Sequence, residues 1–178
     1  MMIELEYFTV LTEEVPNIDE IKIMFKMIGK YIPDIITNKD ILPNIITDDK
    51  GKKFKGDWYV EYENCKINIL LFKGKTSCVD YMLFNGNVDL TRGDAENALV
   101  ILESTKTSDD ASRNTAVYQR ITKFTTFDTM YPNFNGIKVM FWCNSNWKET
   151  LTATANYGFR LMVTLGINMY ALNNNSII

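Results

Sequence analysis

The chain has 178 residues, 46% hydrophobic and 12% aromatic, with a net charge of −3 and a pI near 5.1. This is one domain long enough to bury a core; it is not a disordered tail, and its charge argues against coating nucleic acid by electrostatics alone. Histidine is absent. That removes Ser-His-Asp and Cys-His catalysis and His-ligated zinc, and leaves carboxylates, lysine and hard cations for any hydrolytic chemistry.

The N-terminal "MMIELEYFTV" lacks a basic region followed by a long apolar stretch, so no signal peptide is expected. No apolar run approaches the roughly 20 residues of a membrane span, so no membrane contact is expected. The first clear element is a helix in "PNIDEIKIMFKMIGKYI". Asn17 can cap it and Glu20 falls at its third position, the outline of a capping box. Ile18, Ile21, Phe25, Ile28 and Ile32 supply an apolar stripe, and Pro33 closes it. Thr37 to Gly56 is polar and turn-rich and reads as a loop, so 1–56 forms an N-terminal helix and loop.

Three strands are expected next, at 57–63, 66–73 and 76–84, the first two joined at Asn64-Cys65. "NGN" at 85–87 marks a turn, and "NALVILE" (97–103) reads as a strand covered on both faces. Thr107, Ser108, Asp109 and Asp110 are good helix-start residues, which predicts a helix from about Ser108 to Thr126. "GIKVMFWC" (136–143) is another buried strand. A second helix starts at Asn146 and stops at Gly166, and "INMYAL" (167–172) is a last strand. The order predicts an α/β domain of the α+β kind, a mixed central sheet flanked by helices, with its core at 57–172 and a polar tail at 173–178. The odd set Cys65, Cys78 and Cys143 has no metal-ligand spacing. Reduced thiols in an intracellular, cytoplasmic protein are expected.

Asp80 lies within the apolar "CVDYML", and Glu103 ends the next apolar strand. If those strands pair across the 85–96 loop, the two carboxylates become neighbours. Two carboxylates in a partly dry site repel; a divalent cation between them removes the penalty, and Lys106 adds a positive charge. The plainer alternative is an Asp satisfied by a backbone amide or an Arg, beside a surface ion pair of a strand-end Glu and a nearby Lys. Asp89 and Asp94, in the intervening loop, are alternatives to Asp80 as ligand. Trp58, Trp142 and Trp147 read as core or rim rather than as a base-stacking platform.

Val79 to Gly86 ("VDYMLFNG"), Glu103 to Phe124 ("ESTKTSDDASRNTAVYQRITKF") and Thr152 to Tyr170 ("TATANYGFRLMVTLGINMY") resemble blocks of a group of type II restriction endonucleases in the PD-(D/E)xK nuclease superfamily. The resemblance runs from about Thr76 to Leu172. It implies a restriction-endonuclease-like core in which Asp80 and Glu103 ligate Mg²⁺, with Mn²⁺ able to substitute, and Lys106 is the motif lysine. The implied activity is hydrolysis of phosphodiester bonds in double-stranded DNA by a homodimer, since symmetric sites are cut by symmetric pairs. The resemblance also implies a chain that continues past the last strand, so with a polar tail at 173–178 this chain is expected either to be a shortened relative or to lack a C-terminal portion.

One departure concerns the lysine. The motif places it two residues after the acid, on the same strand face, whereas Lys106 follows Glu103 by three. A bulge or the strand's end must correct this, or Lys123 on the following helix takes the role. On that helix Val117, Ile121 and Phe124 form the core face. Ser112, Ala116, Gln119 and Lys123 lie opposite, flanked by Arg113 and Arg120. Arg113, Asn114, Gln119, Arg120 and Lys123 are therefore expected to contact phosphates or base edges. Two other functions compete: a catalytically inert nucleic-acid or protein-binding module on the same fold, and a viral-type metal-dependent RNA endonuclease.

Overall fold

In the computed structural model, which describes residues 5–13, 15–41, 46–47, 54–55, 57–71, 79–88, 95–105, 115–142 and 153–171, the chain opens with a strand rather than a helix. Strand β1 (Glu6–Thr12) precedes helix α1 (Ile18–Met27). β2 (Ile46–Thr47) and β3 (Phe54–Lys55) form a small antiparallel pair inside the segment expected to be loop. Then come β4 (Asp57–Tyr62), β5 (Cys65–Leu71), β6 (Tyr81–Asn85), a 3-10 turn at Ala95–Asn97 and β7 (Val100–Thr105). Helix α2 (Thr115–Met130), β8 (Ile137–Trp142), α3 (Ala153–Thr164) and β9 (Ile167–Ala171) complete the order.

The main sheet has seven strands in the order β4-β5-β1-β6-β7-β8-β9. β1 runs parallel to β5 and antiparallel to β6, and β6 is antiparallel to β7. β7, β8 and β9 are parallel, joined through α2 and α3. The mixed sheet with helices on both faces is as expected. What differs is the N-terminal part: β1 belongs to the centre of the sheet, so 1–56 is not merely a helix and loop outside a core at 57–172. β1 carries Phe8 and Val10 toward α1, while Thr9 is fully buried and donates from Oγ1 to the Gly86 carbonyl at 2.7 Å.

Local signals are realised closely. Asn17 and Glu20 form the capping box of α1. The helix ends earlier than expected, with Gly29 at φ +75°, so Ile28 and Ile32 reach the core from beyond it. The β4–β5 hairpin turns on Glu63 and Asn64, one residue before the expected pair, because Tyr62 is paired with Cys65. α3 stops at Gly166, whose φ of +70° is left-handed backbone that glycine adopts without a Cβ penalty.

Strand parity divides the core into two. Val100 and Leu102 of β7 face α1 together with Phe8, Ile69, Leu83 and Phe141. Ile101 faces the other way, toward Val117, Phe124 and Phe127 of α2 and Phe159 and Met162 of α3. The two helices approach closely at Gly158, where an added Cβ would stand 2.3 Å from Val117 Cγ1. Cys65 is a buried free thiol. Among the described residues, no helix is long and apolar enough to cross a membrane.

Candidate functional site

The antiparallel β6–β7 register pairs Tyr81 with Leu102, which brings Asp80, one residue before Tyr81, beside Glu103, one residue after Leu102. The Asp80 amide donates to Glu103 Oε1 at 2.9 Å, and the Ser104 amide donates to Asp80 Oδ2 at 2.9 Å. The two carboxylates are thus held by the backbone of adjacent strands. Asp80 stands just ahead of β6 rather than in the middle of a strand, and its carbonyl accepts from the Glu13 amide at the end of β1. Glu103 lies inside β7, which runs on through Thr105.

Helix α2 supplies the positive charge. Lys123 Nζ donates to Asp80 Oδ1 at 2.9 Å and to Glu103 Oε1 at 2.8 Å. Arg120 Nη1 donates to Glu103 Oε2 at 2.7 Å and stands 4.0 Å from Asp80 Oδ2. Arg120 and Lys123 are three residues apart on α2 and so share one flank of the helix. Val117, Ile121, Phe124 and Phe127, buried on the sheet side, fix that flank over β7. Each of the four carboxylate oxygens therefore has a partner, and the two negative charges face two positive ones.

Burial sets the electrostatics. Glu103 has 0% of its side chain exposed, against 19% for Asp80, 26% for Arg120 and 34% for Lys123. Burial, and next the charge of Asp80, pushes the Glu103 carboxyl from 4.5 up to about 7, against the pull of Lys123 and Arg120. Burial opposes the charge on Lys123, but its hydrogen bonds and ion pairs with Glu103 and Asp80 outweigh that and raise its pKa.

Asp80 and Glu103 come together as expected. Lys123 joins them, although its helical position read as facing away from the core. Arg120 reaches Glu103, where a contact to nucleic acid was expected. Gln119 is exposed on α2 and takes no part in the cluster. Lys106, Arg113, Asn114, Asp89, Asp94, Trp147 and the side chains of Trp58 and Trp142 lie outside the described residues. β7 pairs regularly with β8 up to Thr105 and Trp142, so the bulge that would bring Lys106 to the face of Glu103 is not present as far as Thr105. Thr105, buried, stands two residues after Glu103 where the motif has its lysine. Ser104 was missed: its Oγ also approaches Asp80 Oδ2, at 3.4 Å. Only the hairpin register could have indicated it.

The donor set is all hard oxygen. Among the described residues no third Asp, Glu or Cys joins the pair in a metal-holding group. The pair offers hard oxygen ligands to a hard cation. It suits Mg²⁺, which binds through one or two carboxylates and completes its octahedron with water and substrate phosphate. The chain matches no protein-family model, no curated protein and no solved structure.

Proposed function

We propose that this protein is a Mg²⁺-dependent endonuclease of restriction type that hydrolyses phosphodiester bonds in double-stranded DNA. The observation that carries the reading is the sharing of one lysine ammonium by two carboxylates on adjacent strands. Asp80 and Glu103 are the groups that would hold Mg²⁺ or Mn²⁺. When bound, the cation supplies Lewis acidity toward a phosphoryl oxygen and lowers the pKa of water. Lys123 orients the attacking water or offsets charge developing on the phosphorane. Arg120 holds Glu103 in position and offers its remaining N–H groups to a phosphate. Cleavage of both strands of a symmetric site calls for a homodimer. The free buried thiol of Cys65 is in keeping with a reducing intracellular compartment.

A second reading is an RNA endonuclease of viral type. It draws on the position of Lys123, whose lysine comes from the helix and not from the strand. The inert binding module draws on the complete mutual pairing of the four charged groups. One assay separates all three: plasmid DNA, phage DNA and single-stranded RNA are incubated with the protein in Mg²⁺ and in excess chelator. Discrete DNA cuts that need Mg²⁺ support the first reading, and RNA cleavage alone supports the second. Binding without cleavage in Mg²⁺ supports the third.

A further inference from the structure

We infer that Lys123 is the built-in counter-cation of the metal site: in the metal-free protein its ammonium occupies the place between Asp80 and Glu103, and a divalent cation can enter only by displacing it. The inference rests on the proposed metal-dependent reading and says how that site is regulated. Lys123 Nζ bridges Asp80 Oδ1 and Glu103 Oε1 at 2.9 and 2.8 Å. A divalent cation held by Asp80 and Glu103 would compete with the ammonium for the same two carboxylates. The other two oxygens offer no free route, since Asp80 Oδ2 accepts from Ser104 and Glu103 Oε2 from Arg120.

Lys123 is also the group able to leave. Its side chain is 34% exposed, against 26% for Arg120, so of the two cations it has the more open way to water. Exchange changes the charge balance. In the metal-free cluster two carboxylates face two cations. With a divalent cation bound and Lys123 released, two positive charges are left over. A phosphodiester beside the site takes up part of that excess and gives the ammonium a new partner. Metal and nucleic acid therefore tighten each other's binding, and linkage makes the effect reciprocal. The device also keeps the carboxylate pair neutralised until both components arrive.

The test is Mn²⁺ binding to the full chain without nucleic acid, by calorimetry and by electron paramagnetic resonance, for wild type, Lys123→Met and Lys123→Gln. Both variants should bind Mn²⁺ at least about fivefold more tightly than wild type, the lower end of ordinary coupling. A parallel measurement needs no variant: the rate of Lys123 acetylation in the wild type, read by mass spectrometry, should rise when Mn²⁺ is added. Equal or weaker Mn²⁺ binding by folded variants, or an acetylation rate unchanged by Mn²⁺ that demonstrably binds, overturns the displacement and leaves the metal site standing. Absence of Mn²⁺ uptake by all three proteins removes the metal-dependent reading and the displacement together.

Discussion

Lys123 of α2 and Glu103 of β7 meet at 2.8 Å across a separation of 20 residues, and Asp80 shares the same ammonium at 2.9 Å. Among the described residues, the lysine at the carboxylates comes from the helix. On the nuclease reading Lys123→Ala should slow single-turnover cleavage by about a hundredfold, the scale of one lost electrostatic stabiliser. Lys106→Ala should have a smaller effect, felt in binding. This reverses the order that motif position alone would give. Quenched-flow cleavage of the two variants under saturating enzyme checks it, and the opposite ranking would return the role to Lys106.

Removal of the carboxylates tests the cluster as structure. Sequence reasoning expects Asp80→Ala and Glu103→Ala to abolish cleavage without harm to the fold, because each relieves repulsion. With Arg120 and Lys123 in place, that expectation changes for Glu103. Glu103→Ala leaves two cations over a buried space. Loss of one partner of a fully buried pair costs about 3–5 kcal/mol. Arg120 and Lys123 are partly exposed and can turn toward water, which reduces the cost to about 1–3 kcal/mol. Urea denaturation should show that loss for Glu103→Ala and less for Glu103→Gln, which keeps the shape and the acceptor oxygen.

The legibility of the site followed the range of the interactions. The capping box of Asn17 and Glu20 is written within four consecutive residues and was readable directly. The Asp80–Glu103 pairing needed only that two neighbouring strands form a hairpin. Strand parity names Lys123 as the alternative to Lys106, and among the described residues Lys123 is the lysine beside the pair. Two features were harder. β1 pairs with β5 and β6, far along the chain, and nothing in "EYFTVLT" says which strands will flank it. The roles of Arg120 and Lys123 depend on how α2 is rotated over the sheet. The sequence stripe of Val117, Ile121 and Phe124 left Lys123 on the far side, and burial of Phe127 brings its flank toward β7.

The raised pKa of Glu103 gives stability a direction with pH. Burial first, then Asp80, lifts it from 4.5 to about 7 in the folded chain. Between those values the folded state holds more protons than the unfolded state. Stability from this group is therefore fully present below about pH 4.5 and is lost as pH rises through about 7. The metal-free wild type should lose stability relative to Glu103→Gln across that window. Paired urea titrations at several pH values measure the difference. A gap that stays constant, or that changes in favour of the wild type as pH rises, would show that Lys123 and Arg120 overcome burial.

Gly158→Ala tests how the position of α2 is set. In a helix interior this change ordinarily stabilises by about 0.5–1 kcal/mol, because glycine loses more backbone freedom on folding. Here the added Cβ would stand 2.3 Å from Val117 Cγ1, with Val117 Cβ at 3.2 Å. Val117 is buried in the first turn of α2, so neither helix yields easily. Overpacking of this kind costs about 1–3 kcal/mol, which outweighs the propensity gain. Gly158→Ala should therefore lower the melting temperature. On the nuclease reading it should also reduce cleavage, because α2 carries Arg120 and Lys123 and a shift there lengthens their reach to Glu103. Val117→Ala in the same chain removes the clashing methyl groups. The double variant should recover more stability than the sum of the single changes predicts, a coupling expected only for residues in contact. Strict additivity would mean that α2 and α3 do not meet at this point.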